Sequence, residues 1–190
     1  CCSLKNNYYA GKAMDDRAGV VALVECLRRL KDFNHQAEVL AVVTVQEELG
    51  VRGAFVSSYG LNPDLGLAVD VTHGEMPGLA DYEGFKLGQG PVIVTGPQVH
   101  PLIFEELTAA AEAGKIKYQV EAEVTPRGTD AYAIQVAQAG VASGLLSIPL
   151  RYMHTSVETL ALDDLKETGR LLAEFIMRID DAFLEGLKCY

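Results

Sequence analysis

The chain has 190 residues, 49% of them hydrophobic and 22% charged, which is the composition of one globular α/β-sized core and excludes a disordered or fibrous protein. A formal net charge of -10 excludes a nucleic-acid surface, which needs clustered Lys and Arg. No apolar run reaches the length of a transmembrane helix, and four scattered cysteines (Cys1, Cys2, Cys26, Cys189) show neither zinc-ribbon spacing nor a disulfide framework, so a cytoplasmic setting fits best.

The chain opens on Cys1-Cys2-Ser3-Leu4 without an initiator Met and runs at once into a structured pattern, which points to a fragment or an excised domain. Residues 3–14 read as an irregular or extended entry. Asp15-Asp16-Arg17 then precedes an amphipathic helix over 18–31, with Val20, Val21, Val24, Leu27 and Leu30 at three- and four-residue steps. Asp15 serves equally as a helix cap, but a cap needs one carboxylate and here there are two.

Residues 37–45 form a β-branched, apolar run that predicts a strand buried on both faces. Beyond it come two adjacent carboxylates, Glu47 and Glu48, and then Leu49 and Gly50. Successive side chains of an extended segment point to opposite sides, so one of the pair can bind a group while the other faces a substrate. A solvated Glu pair at a strand end is the plain alternative. A short helix follows over 51–59, then an apolar strand at 65–70 that ends in Asp70. Residues 74–90 read as a loop or weak hairpin, 91–94 as a strand, and 100–114 as a helix opened by His100-Pro101. Residues 116–124 predict a strand, Gly128-Thr129-Asp130 the start of a helix ending near 140, 142–148 a buried strand, and 162–187 one long final helix.

Strands alternating with helices imply a three-layer α/β/α sandwich with a mostly parallel or mixed central sheet. Ligands in such sheets gather beyond the carboxyl ends of the strands. Asp15, Glu47 with Glu48, Asp70 and His154 all fall at such ends or in the loops after them. Asp, Glu and His are the residues that hold a zinc-like cation, and carboxylates also bridge two. A cluster of acids with no cation would repel itself.

Six segments, in order, make the resemblance specific: Lys12-Ala13-Met14-Asp15-Asp16-Arg17, Gln46 to Ala54, Val69-Asp70-Val71-Thr72-His73, Gly90-Pro91 with His100-Pro101, Gly128-Thr129-Asp130-Ala131, and Arg151-Tyr152-Met153-His154-Thr155. Together they resemble the tetrahedral aminopeptidases, the co-catalytic metallopeptidase family that includes glutamyl and deblocking aminopeptidases and the proteins long labelled cellulase M. The resemblance implies two divalent metal ions, Zn first with Co or Mn as alternatives. It makes Asp15 the bridge between them, Glu48 and His154 ligands of one, Asp70 a ligand of the other, and Glu47 the general base. It implies short peptides as substrates and a parent protein that is a homo-oligomer.

Members of that family also carry an upstream His-x-Asp motif and an inserted small β domain. Neither is in residues 1–190, and His35, His73 and His100 are no substitutes. The resemblance therefore implies a single catalytic-domain fragment, with a second metal site short of a ligand, impaired activity, and a monomeric or small oligomeric state. Two other functional classes stand beside the aminopeptidase. One is a non-catalytic relative that keeps the fold as a binding or assembly module. The other is a glycoside hydrolase working through paired carboxylates, which needs an aromatic-lined cleft that a chain with no Trp and 7% aromatic residues is poorly equipped to build.

Overall fold

A computed structural model describes residues 1–80, 84–125 and 128–188. Residues 81–83 of the loop expected over 74–90, and Cys189, lie outside the described residues. The chain order is β1 (Cys2–Ser3), β2 (Tyr8–Gly11), α1 (Met14–Leu30), α2 (Arg52–Leu61), β3 (Leu65–His73), β4 (Val92–Thr95), α3 (Pro101–Ala113), β5 (Gln119–Ala122), α4 (Asp130–Gln135), β6 (Ala142–Arg151), β7 (Glu158–Ala161), α5 (Leu162–Ile176) and α6 (Asp181–Gly186).

All seven strands form one mixed sheet, in which β3–β6 and β4–β5 are parallel and the other pairings antiparallel. The long strand β6 is its spine. Along Ala142 to Leu150 it pairs with β3, Leu146 and Ser147 pair with β4, and Leu150 and Arg151 pair with β7. Its side chains alternate between faces. Leu146 packs into the large core built with α1, α3 and α5, whereas Leu145 packs with Ala131 of α4 on the other face. The three-layer sandwich follows, with α2 against α4 on the second face. No helix among the described residues is long and apolar enough to cross a membrane.

Three local expectations need correction. Residues 37–45 are not a strand: no ladder joins them to the sheet among the described residues. A β-branched run becomes a strand only when a second backbone takes up its N–H and C=O groups, and among the described residues none does so over 38–44, while the Val45 carbonyl accepts only the Gly53 N–H at 2.9 Å. The buried stripe of α1 is Ala18, Ala22, Cys26 and Leu30, so of the expected apolar positions Leu30 is buried while Val21 and Val24 are about half exposed. Small residues win that face because α5 comes close enough that a Cβ on Gly169 would lie 2.7 Å from the Ala22 carbonyl oxygen. The single helix expected over 162–187 is two. Asp180 accepts a hydrogen bond from the Phe183 N–H at 2.8 Å and starts α6 afresh, so the buried Ile179 sits in the break.

Sequence reading also passed over β1, β2 and β7, which are too short for periodicity to register. The buried Asp164 in the first turn of α5 accepts from the N–H groups of Gly88 and Gly90, each at 2.7 Å, and so ties the approach to β4 onto α5. Gly90 has φ +88, and a Cβ there would stand 1.8 Å from the Lys117 carbonyl oxygen, so only glycine fits.

Candidate metal centre

Three parts of the chain deliver the site, and each does so from a backbone turn that an L-residue rarely adopts. Ala13 (φ 53) precedes Asp15, Gln46 (φ 59) precedes Glu47 and Glu48, and His154 itself has φ 61. Asp15 and Asp16 open α1 with non-helical angles and a cis peptide bond between them. Glu47 and Glu48 lie in a single 3-10 turn, Glu47–Leu49, rather than on an extended strand end. The expectation that they point to opposite sides by strand alternation is thus replaced by a turn that sets their directions.

The outcome is a convergence. One ligand atom each from Asp15, Glu48 and His154 lie within 4.8 Å of one another. The His154 Nε2 stands 3.1 Å from an Asp15 carboxylate oxygen and 3.4 Å from a Glu48 oxygen. Asp15 is mostly buried, while Glu48 and His154 are open to solvent. An imidazole nitrogen and two carboxylates so placed are a donor set that suits a zinc-like cation.

Asp70 and Glu47 line the same cavity of about 240 Å³ beside this cluster, together with Thr72, His73, Glu121 and Ser147. Asp70 does not belong to the three-residue cluster, and its carboxylate accepts the Val71 N–H at 2.8 Å.

The electrostatics of the group are those of crowded acids, eased at Asp15 by the neighbouring His154 charge. Burial, then the Glu48 charge, push the Asp15 carboxyl up to about 6. Burial, then Glu48 and Asp130, push Glu47 up to about 7. Burial raises Asp70 to about 7, against the pull of the Val71 N–H, and the Glu47 charge adds to it. Asp16 rises to about 8, by burial first and by Asp70, against the Gly19 N–H that it accepts at 2.8 Å. A divalent cation would remove the repulsion that these shifts record.

Asp130 is no helix cap. Thr129 holds that position, one Asp130 oxygen accepts the Thr44 hydroxyl at 2.6 Å, and the other is buried with no partner among the described residues. An orphaned buried carboxylate oxygen beside further raised acids fits a site built to meet positive charge. Arg17, which follows the two carboxylates in sequence, forms no ion pair among the described residues. His100 accepts the Leu102 N–H at 3.3 Å as the cap of α3.

One residue of consequence carries no sequence signal. Glu158, buried in β7, accepts from the N–H groups of Met14 at 2.6 Å, Asp15 at 3.2 Å and His154 at 3.1 Å. A single carboxylate thus positions both the Asp15 turn and the His154 loop. An isolated Glu in an unremarked four-residue strand gives a reader of the sequence nothing to separate it from a surface acid.

The sequence pattern described as M42 glutamyl aminopeptidase matches residues 1–171. The lysyl aminopeptidase of Pyrococcus furiosus is 37% identical over 185 residues, which are 97% of this chain and 51% of that protein. The structure of an aminopeptidase from the archaeon Desulfurococcus kamchatkensis superposes with a TM-score of 0.92 at 37% identity, covering 100% of this chain and 54% of the other. The Pyrococcus horikoshii TET1 peptidase, described as able to assemble into a tetrahedron or a large octahedral shell, superposes with a TM-score of 0.77 at 32% identity over 93% of this chain and 52% of its own. The chain spans about half the length of the relatives it matches.

Proposed function

The chain belongs to the M42 glutamyl aminopeptidase family, and from that premise we propose that it is, or forms part of, a metal-dependent aminopeptidase that releases N-terminal residues from short peptides. The observation that carries the reading is the convergence of Asp15, Glu48 and His154 from three separate turns onto one point. Those three residues would hold one divalent cation, Zn²⁺ by preference for an imidazole–carboxylate set and Co²⁺ or Mn²⁺ as alternatives. Asp15 and Asp70 would face a second. The chemistry such a cation would supply there is polarisation of the scissile carbonyl and acidification of the attacking water.

The chain's own residues do the rest. Glu47 stands outside the ligand cluster, and its carboxyl, raised to about 7, titrates in the range a general base needs. It takes the proton of the attacking water and delivers it to the departing amine. Glu158, through the Asp15 and His154 amides, fixes the two ligands against each other before any ion arrives. The exposed faces of Glu48 and His154 leave the cluster open to a peptide from solvent.

Three finer points belong to the same proposal. Free thiols at Cys1, Cys2 and Cys26 support a reducing, cytoplasmic setting. The protein in full is a homo-oligomer, with residues 1–190 alone monomeric or a small oligomer. The half-length match supports lowered activity for residues 1–190 by themselves, and it also favours a second reading, a non-catalytic relative that keeps the fold.

The test is calorimetric titration of Zn²⁺ into the wild-type chain and into His154→Ala, followed by an assay of amino-acid release from short peptides with Zn²⁺, Co²⁺ or Mn²⁺. Binding that His154→Ala abolishes, with release that requires the metal, is the expected result. Binding without release favours the non-catalytic relative. Equal affinity in both chains overturns the metal site.

A further inference from the structure

The cavity of about 240 Å³ that holds Asp15, Glu48 and His154 has a polar wall that the metal centre does not use. Ser147 of β6 lies in register with Asp70 of β3, one strand's width away at about 4.8 Å, and both line the cavity. Ser147 is 2% exposed, yet its hydroxyl makes no hydrogen bond among the described residues. Four residues earlier on the same face of β6, the equally buried Ser143 donates to the Val141 carbonyl at 2.9 Å. Nor is the Ser147 oxygen sealed off, since the one enclosed side-chain atom left without a partner among the described residues belongs to Asp130. The hydroxyl therefore opens onto the cavity. Buried polar groups are paired in folded proteins, and one left idle at a cavity wall is a group that an occupant can pair.

The neighbours of Ser147 decide what kind of group that is. The buried Thr72 hydroxyl donates to Glu121 at 3.0 Å, so what it still offers the cavity is lone pairs. An ionised carboxylate is an acceptor only, with about four lone-pair sites, so Glu121 and Glu123 add acceptors to the same wall. Ser147 can give or take. In an aminopeptidase, the side chain of the first residue branches from the carbon between the free amine and the scissile carbonyl. With those two groups at the cluster, that side chain must lie in the same cavity. Glu48 and His154, open to solvent, leave the way out to the rest of the peptide.

We infer that Ser147 is a specificity-determining residue, and that its wall of the cavity favours a first residue whose unbranched side chain ends in an N–H donor, as in glutamine, over an apolar side chain of the same length. The amide gives its hydrogens to the Ser147 and Thr72 oxygens, whereas a thioether or aliphatic end displaces water from both and returns nothing. The inference rests on the aminopeptidase reading for where the peptide lies, and on the idle hydroxyl for what the cavity selects.

The test reads binding rather than turnover. L-glutamine amide and L-methionine amide, whose side chains match in length, are titrated into the 190-residue chain with and without Zn²⁺. Affinities are read from the backbone amide NMR shifts of residue 72 and residues 145–148. The glutamine compound should bind roughly 10–100 times more tightly to the wild type. Ser147→Ala should bring the two within about 3-fold of each other, while Ser147→Thr, which keeps the hydroxyl, should retain the preference. If the metal reading fails, Zn²⁺ changes neither affinity and the glutamine preference remains. The present inference is overturned by a wild type that binds the methionine compound as tightly, by a preference that survives Ser147→Ala, or by shifts at up to ~10 mM that spare residue 72 and residues 145–148 for both compounds.

Discussion

The two flanks of β6 are built from the same kinds of residue and are finished to different degrees. On the flank shared by β4 and β7, every ladder continues outward to another strand, and two buried acids there are each answered by several main-chain donors, while Glu121 and Glu123 accept from the Thr72 and Gln98 side chains. Glu158 holds three amides and Asp164 two. On the β3 flank the sheet stops at an open edge, and the acids beside it, Asp16, Glu47, Asp70 and Asp130, line a cleft. Among them one Asp130 oxygen has no partner among the described residues. Burial of a carboxylate is thus a structural device on one side and a standing repulsion on the other. The cluster of Asp15, Glu48 and His154 sits where the two meet.

The sharpest way to break this comparison is through the open flank. Glu47→Gln keeps the shape of the turn and removes the base, so metal-dependent release of amino acids should fall roughly 10²–10⁴-fold while Zn²⁺ affinity stays unchanged. Full activity in the variant would remove Glu47 from the chemistry. The closed flank is tested by Glu158→Ala, which strands three amides. At ~1–3 kcal/mol for each, the chain should lose about 3 kcal/mol or more, read as a fall in Tm of roughly 6–12 °C. Zn²⁺ affinity should fall with it by roughly 10–100-fold, because the Asp15 and His154 turns lose their common anchor. A variant that melts like wild type would show the two flanks to be equivalent.

Much of this was legible in the sequence, and the failures share a cause. β3, β6 and α3 were readable because apolar pattern reports burial against neighbours that the chain itself supplies. Residues 37–45 carry the same pattern, but no strand pairs with them among the described residues, and pattern cannot reveal that. The convergence of Asp15, Glu48 and His154 was approached through motif order; Glu158 was not, since its role lies in main-chain donors that belong to other segments. The break at residues 177–180 was hidden because Ile179 keeps the helical period across it.

Two smaller measurements sharpen the contrast. The folded chain holds Asp15, Asp16, Glu47 and Asp70 at pKa values of about 6 to 8, above their unfolded values near 4, so between those limits it binds more protons than the unfolded chain. Stability of the metal-free protein should therefore be highest near pH 4 to 5 and decline as pH rises to 8, with saturating Zn²⁺ flattening the decline. Melting curves that rise over that interval would contradict it. Asp130→Asn removes one of the repelling charges and gives the orphaned position a neutral amide. It should raise Tm by about 2 °C at pH 8 and by less at pH 4.

The left-handed turn at Gln46 carries a consequence for anyone who sets out to make this protein more robust. Glycine would adopt that conformation without the steric penalty, and Gln46 is an exposed side chain with little packing to lose. Screening for thermal tolerance would therefore favour Gln46→Gly. Yet a glycine also frees the hinge on which Glu47 and Glu48 are aimed, so the same screen would select for a looser aim. Stabilising this molecule and keeping it useful are opposing pressures at that one residue, and a library scored on heat resistance alone would drift toward well-folded chains with a blunted site.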